Sequence, residues 1–147
     1  MAFSSGPPRL LRISVPLYPP REQAHPGLLY SLNRAEPSTY QQVRECWFTT
    51  LRELLWGAGQ TELAAFETYK RSIVWICVYF PDARCRDIDN YTVKFISDAL
   101  VALRVLEGDE HARTSLILEG RVDREDPRSE IFVLEDLGQL EQLKPKF

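Results

Sequence analysis

The hydrophobic pattern of the chain predicts four β-strands. The segment Ser72 to Phe80 has β-branched and aromatic residues on both of its faces, which is typical of a buried central strand. Thr114 to Val122 and Glu130 to Leu134 also have strand character, and the charged turn between them predicts that they pair as a hairpin. A shorter strand is predicted from Arg9 to Val15. We interpret residues 21–36 as a loop, with a short hairpin as the alternative.

Two helices are predicted between these strands. The first begins at a capping box formed by Ser38 and Gln41 and ends before Gly57. Its buried face is a stripe of apolar residues at intervals of three or four, namely Tyr40, Val43, Trp47, Leu51 and Leu54. The second helix is predicted from about Asp89 to Leu103. The order β, α, β, α, β, β predicts an α/β fold, a single small domain whose mixed sheet packs against two main helices.

The length and composition are those of one globular domain, since 147 residues with 44% hydrophobic side chains suffice for one core. We interpret residues 1–8 as a flexible arm, 9–137 as the domain and 138–147 as a C-terminal tail. No apolar run reaches the ~18 residues needed to cross a membrane, and the N-terminus lacks the pattern of a secretory signal. The three cysteines exclude a complete disulfide framework, so we expect a reducing cytoplasm.

Charge is distributed unevenly along the chain. The formal net charge is −3, which counts against a large phosphate-binding surface. Residues 1–80 carry 8 basic and 6 acidic side chains, whereas residues 81–147 carry 10 and 15. A cluster of carboxylates repels itself unless a positive group lies among them, so the acidic half is the part to search for a site.

The most informative segment runs from Arg84 to Asn90, between the central strand and the second helix. In a regular helix Lys94 and Asp98 fall within ~20° of Asp87, whereas Asp89 falls among the apolar residues. Because an unpaired buried carboxylate is costly, Asp89 is expected at or before the helix start, in extended backbone. Asp87 and Asp89 then point to the same side and suit a hard cation such as Mg²⁺. The alternative is that both simply cap the helix and complement its dipole.

The neighbouring charged residues have more than one interpretation each. Asp109 follows the helix and is either a third carboxylate of the site or part of a solvated turn. Lys94 is a surface lysine, pairs with a carboxylate, or places a positive charge beside a phosphate. Arg84 and Arg86 either contact phosphate or balance the nearby aspartates.

The segment from Pro81 to Glu110 resembles the core of the RusA family of Holliday-junction resolvases. That family has Pro-Asp, an arginine-rich stretch, Asp-x-Asp-Asn, a helix that carries Lys and ends in Asp-Ala-Leu, and an acidic turn. The matching residues here are Pro81-Asp82, Arg84, Arg86, Asp87, Asp89, Asn90, Lys94, Asp98-Ala99-Leu100 and Asp109. The proline-rich segment from Pro16 to Pro20 resembles the start of the family more weakly.

The resemblance implies a Mg²⁺-dependent homodimeric endodeoxyribonuclease that resolves four-way DNA junctions in recombination and repair. It implies that Asp87, Asp89 and Asp109 hold the metal and are catalytic together with Lys94. Arg84 and Arg86 are expected to contact the DNA.

Two other functions stay open on the sequence alone. The arginine stretch of the family is thinned here by Ala83 and Cys85, and the net charge is acidic. Both features favour the alternative of a catalytically inactive RusA-like module that associates with DNA or with another protein. A small phosphodiesterase that uses the same carboxylates on another substrate is the third possibility.

Overall fold

The residues that the structure describes form a four-stranded sheet, a smaller three-stranded sheet and two α-helices. The computed structural model describes residues 7–18, 28–31, 35–37, 40–57, 67–88, 91 and 93–145. The elements in chain order are β1 (Leu10–Val15), β2 (Leu17–Tyr18), β3 (Leu28–Ser31), β4 (Ala35–Pro37), α1 (Tyr40–Trp56), β5 (Ser72–Phe80), α2 (Lys94–Ala102), β6 (Thr114–Val122), β7 (Arg128–Glu135) and a C-terminal 3₁₀ helix (Gln139–Leu143).

The main sheet has the strand order β1-β7-β5-β6 and is mixed. β5 is antiparallel to β7 and parallel to β6. The predicted α/β fold, a single small domain with a mixed sheet and two main helices, is therefore confirmed. The predicted hairpin of β6 and β7 is wrong, because β5 lies between these two strands. β5 is the most apolar strand, and inserting it between them places its hydrophobic side chains at the centre of the sheet.

The smaller sheet has the order β2-β3-β4 and consists of antiparallel pairs. β3 and most of β4 lie in the segment 21–36, which was predicted as a loop with a short hairpin as the alternative. Residues 21–27 and 32–34 of that segment lie outside the described residues.

The first helix follows its predicted stripe over most of its length. Val43, Trp47 and Leu51 are fully buried, as predicted, but Leu54 is 48% exposed. Its neighbour Leu55 packs against the core instead, because it lies four residues after the buried Leu51 and so falls on the same face of the helix. Ser38 of the predicted capping box lies outside the described residues, and Gly57 follows the helix with a positive φ of 57°.

The second helix begins at Lys94, five residues later than predicted. Tyr91 precedes it, and its ring lies 5.3 Å from that of Phe80 at the end of β5. This tertiary contact buries Tyr91 before the helix starts, which the periodicity of the sequence does not show. Asp87 therefore lies outside the helix, and the predicted angles between Asp87 and the helical residues do not apply.

The two faces of the main sheet have different environments. Val74, Ile76 and Val78 of β5 lie on the face that packs against the helices, within one hydrophobic core. The opposite face carries Trp75, which is 39% exposed and donates a hydrogen bond from Nε1 to Oε1 of Glu119 at 3.0 Å. Among the described residues, neither helix reaches the length and apolarity of a membrane span.

Candidate functional site

Residues 81–88 form a loop at the carboxyl end of β5, and Asp82 organises it. Oδ1 of Asp82 accepts hydrogen bonds from the backbone N–H of Arg84 at 2.9 Å and from Nη2 of Arg86 at 2.8 Å. These two donors, the N–H of Arg84 first, hold the pKa of Asp82 below its ordinary value. Asp82 is thus ionised at neutral pH and holds the loop in a defined shape.

Arg86 contributes to the shape of the same loop. Its Nη1 donates to the carbonyl oxygens of Asp82 at 3.1 Å and of Arg84 at 3.0 Å, and its guanidinium lies 4.5 Å from the ring centre of Phe80. The side chain is only 18% exposed. Arg86 therefore balances a nearby aspartate, one of its two interpretations from the sequence, while the side chain of Arg84 is exposed.

The loop borders a depression of about 360 Å³ that also reaches β6. Among the residues that the structure describes, three arginines line it, Arg84, Arg86 and Arg121, together with one carboxylate, Asp82. Gly120 forms part of its wall, and a Cβ atom there would come within 3.1 Å of Phe80 and 3.2 Å of Ile88. The described lining thus carries more basic than acidic side chains, and a phosphate group has the charge that fits these arginines.

Two of the predicted catalytic residues lie near this end of β5. Asp87 is exposed within the loop, and Lys94 is the first residue of α2. Lys94 forms an ion pair with Asp98 at 3.3 Å, so these two share a helix face as the sequence predicted. Asp89 and Asn90 lie outside the described residues, and the proposed pairing of Asp87 with Asp89 stays a prediction.

Asp109 lies at the opposite end of the parallel pair. The loop that carries Asp109 precedes β6. The hydroxyl of Thr114, the first residue of β6, donates a hydrogen bond to the carbonyl oxygen of Gly108 at 2.7 Å. The N–H of Glu107 donates to the carbonyl oxygen of Tyr69, just before β5, at 3.0 Å. Ile88, next to Asp87, lies instead beside Gly120. Thr114 and Gly120 are six residues apart in an extended strand, which corresponds to ~20 Å. One protomer therefore does not bring Asp87 and Asp109 together.

The described residues contain no group of three or more side chains able to hold a metal ion. Carboxylates are the ligands that Mg²⁺ prefers, so the donor type fits this ion. The arrangement within one protomer does not fit the three-carboxylate site that the resemblance implies, because Asp109 lies too far away.

The structure also contains a buried carboxylate that was not predicted from the sequence. The side chain of Glu130 in β7 is 2% exposed and accepts hydrogen bonds from Ser14 at 2.6 Å, Arg12 at 3.2 Å and Arg128 at 2.7 Å. Burial by itself raises the pKa of Glu130, but the three donors outweigh it and lower the pKa to about 2. Little in the sequence indicates this cluster, because Arg12 and Ser14 come next to Glu130 only when β1 pairs with β7 in the observed register.

Arg128 completes this network on the face of the sheet opposite the helices. It also donates to Asp123 at 2.9 Å and lies 4.1 Å from the ring centre of Tyr79. Each buried charge therefore has a partner, which is the arrangement that a structural ion-pair network requires. We assign this network to stability rather than to catalysis.

Comparison with known proteins adds no family to this description. No protein-family model matches the chain, and no curated protein matches it. Assignment to the RusA family thus depends on the sequence resemblance alone.

Proposed function

We propose that this protein is a Mg²⁺-dependent endodeoxyribonuclease that acts on four-way DNA junctions as a homodimer. The observation that carries the proposal is the exposed Asp87 on an arginine-bearing loop at the carboxyl end of β5. Ligands of α/β folds bind preferentially at the carboxyl ends of parallel strands, and β5 is parallel to β6. The resemblance to the RusA family supplies the substrate class.

The charges of the loop support a phosphate substrate. The side chain of Arg121 is 61% exposed, and Arg84 is exposed beside the same depression. Lys94 is 64% exposed, and ion pairs as exposed as the one it forms with Asp98 contribute little stability. In the proposed mechanism Lys94 exchanges Asp98 for a phosphate oxygen and places a positive charge beside the reacting group.

Few basic residues make up this surface, so the proposal includes weak DNA binding. DNA affinity falls steeply with salt and in proportion to the number of phosphates contacted. With three arginines and one lysine at this end of β5, we expect binding at low ionic strength that is lost near physiological salt.

The second candidate function is a catalytically inactive module that associates with DNA or a protein. The separation of Asp87 from Asp109 within one protomer favours it, because it removes one of the three carboxylates that the resemblance implies for the Mg²⁺ site. The aspartates hold the catalytic metal in the first function and have no catalytic role in the second. Removal of one carboxylate should therefore abolish DNA cleavage only if the first function is right.

The test is cleavage of a labelled four-way junction and a linear duplex of the same sequence, with Mg²⁺ or with EDTA. We expect nicking of the junction only, abolished in EDTA and in Asp87→Asn. Asp126→Asn is the matched control, since its side chain is 70% exposed and lies on another turn. Junction binding without cleavage by the wild-type protein would establish the inactive module instead. Full activity of Asp87→Asn would refute the role of Asp87.

A further inference from the structure

Helices α1 and α2 contact each other, and a groove of about 250 Å³ lies between them. Its α1 wall runs from Gln41 to Phe48, and its α2 wall runs from Phe95 to Ala102. On each helix the lining residues follow the spacing i, i+3, i+4, i+7, so each wall is one continuous face of its helix. No residue of the 81–88 loop lines this groove, which is therefore distinct from the depression beside β6.

The floor of the groove is apolar. Phe95 and Ala99 of α2 are 3% and 4% exposed, and Phe48 of α1 packs partly against the same core. Ala102 follows Ala99 on the same wall, and because its side chain is a single methyl group it leaves the groove open there. Pockets for drug-sized molecules usually have ~300–1,000 Å³, so this groove has room for one flat ring system. Aromatic side chains such as Phe48 and Phe95 are surfaces on which such rings stack.

Polar side chains of both charges border this floor. Arg44 and Glu45 of α1 are exposed, and Asp98 of α2 is half-buried. Nε2 of Gln41 donates a hydrogen bond to Oε1 of Glu45 at 3.2 Å, whereas Arg44 forms no ion pair within the described part of the chain. Two carboxylates repel an anion, and a guanidinium repels a cation. A neutral ring with both donors and acceptors at its edge can instead bind to all of these groups.

A nucleobase is a flat neutral ring with an edge of this kind. Carboxylates only accept hydrogen bonds, and they accept them from exocyclic amino groups such as that of cytosine. Adenine also carries an amino group, whereas thymine has a carbonyl oxygen in the corresponding place. We propose that the groove binds a nucleobase with an exocyclic amino group. The ring stacks on Phe48 or Phe95, the amino group donates to Asp98 or Glu45, and Arg44 donates to an acceptor of the ring.

The base has to be free of a duplex stack before it can enter this groove. The cost of unstacking is lowest for a base that is mismatched or already single-stranded. The ligand in DNA is thus an unpaired base rather than a base within a regular duplex.

Asp98 connects the groove to the proposed site, and this step rests on the proposed function. Its carboxylate forms the ion pair with Lys94 at 3.3 Å and also lines the groove. An amino group that binds Asp98 competes with Lys94 for the same oxygens. Lys94 is then released toward a phosphate, which is the exchange in the proposed mechanism. Base binding and phosphate binding therefore favour each other through one carboxylate.

Saturation-transfer NMR with two matched pairs of nucleosides tests the ligand. Cytidine differs from uridine, and adenosine from inosine, in one feature: an amino group in place of a carbonyl oxygen. We expect cytidine and adenosine to bind roughly tenfold more tightly than their partners, the effect of one hydrogen bond to a charged group. A preference within one pair supports the proposal and identifies the base. Equal binding within both pairs, or binding of N-acetylphenylalanine amide and of no nucleoside, would overturn it.

Two pairs of variants place the ligand within the groove. Ala102→Leu puts a larger side chain into the groove at an exposed position and should abolish nucleoside binding, whereas Ala112→Leu, at an exposed alanine elsewhere, should not. Asp98→Ala should remove most of the preference for the amino group, and Glu53→Ala, at an exposed glutamate of α1 outside the groove, should keep it. Undiminished binding by Ala102→Leu, or a full preference in Asp98→Ala, would overturn the assignment to this groove.

Acetylation of lysines, followed by mass spectrometry, tests the link to Lys94 without DNA cleavage. Lys144 is the matched control, since both lysines are 64% exposed and Lys144 is also paired with a carboxylate, that of Glu141. We expect a saturating nucleoside to raise the acetylation rate of Lys94 toward its rate in Asp98→Ala and to leave Lys144 unchanged, because the amine is no longer held as an ammonium ion against Asp98. An unchanged rate at Lys94 would refute the link. A protein that binds nucleosides in this way but cleaves no junction would refute the proposed function and leave the groove standing.

Discussion

Replacement of Glu130 by glutamine tests the buried ion-pair network most directly. The folded protein holds the pKa of Glu130 at about 2, against an ordinary value of 4.5, because the hydrogen bonds of Arg12, Ser14 and Arg128 outweigh the cost of burial. This difference corresponds to at most about 3 kcal/mol of stability at neutral pH. We expect Glu130→Gln to lose about 2–3 kcal/mol at pH 7, or roughly 5–10 °C in Tm for a chain of this size.

The sign of the pH dependence follows from the direction of the pKa. A carboxylate with a lowered pKa stabilises the folded state above its unfolded pKa, and this contribution is lost as the pH falls through 4.5 toward 2. The difference in unfolding free energy between wild type and Glu130→Gln should therefore shrink to roughly half or less at pH 3. Asp82 and Asp123 also have lowered pKa values, so both proteins should keep some acid sensitivity.

Urea denaturation followed by circular dichroism at pH 7 and pH 3 measures both quantities. Glu141→Gln is the control, because that side chain is 72% exposed on the C-terminal 3₁₀ helix and should change stability by less than ~0.5 kcal/mol. The reasoning fails if Glu130→Gln loses no more than the control at pH 7. It also fails if the loss is as large at pH 3 as at pH 7.

Two further predictions concern the loop and the core. Asp82→Ala should increase tryptic cleavage after Arg84 and Arg86 severalfold, because it removes the acceptor that holds the loop; an unchanged cleavage rate relative to Asp126→Ala would contradict this role. Leu100→Ala should cost about 2–5 kcal/mol in urea denaturation, because Leu100 of α2 is fully buried in the core. Leu137→Ala is the control, because Leu137 is 52% exposed. Equal losses of unfolding free energy in the two variants would contradict the burial of Leu100 in the core.

The sequence alone was sufficient to predict those strands and helices whose conformation depends mainly on their own residues. Ser72 to Phe80 was predicted as a strand with the observed bounds, since β-branched and aromatic side chains in an unbroken run favour extended backbone. The first helix was predicted from its apolar stripe, and Thr114 to Val122 was also predicted within its bounds. The fold class followed from the order of these elements.

The sequence predicted which residues carry suitable chemistry for the site, but not which of them lie close together. The chemistry of Asp87, Lys94 and Arg84 can be read from residue types. For Asp109 the residues left two interpretations open, and only the resemblance favoured its place in the site. The topology places Asp109 at the far end of the parallel pair, because the crossover through α2 returns the chain to the amino end of β6. The helix start was also misplaced, since it depends on the contact of Tyr91 with Phe80.

The sequence by itself determined where the first helix and the longer strands of the main sheet lie, and which side chains could contact a phosphate. Only the tertiary structure decided that β5 separates β6 from β7, that Glu130 meets Arg12 across two strands, and that Asp87 and Asp109 lie at opposite ends. The physical reason is the range of the interactions. Backbone preference and periodicity act over a few neighbouring residues, whereas strand order and ion pairing depend on contacts between segments that are distant in the chain.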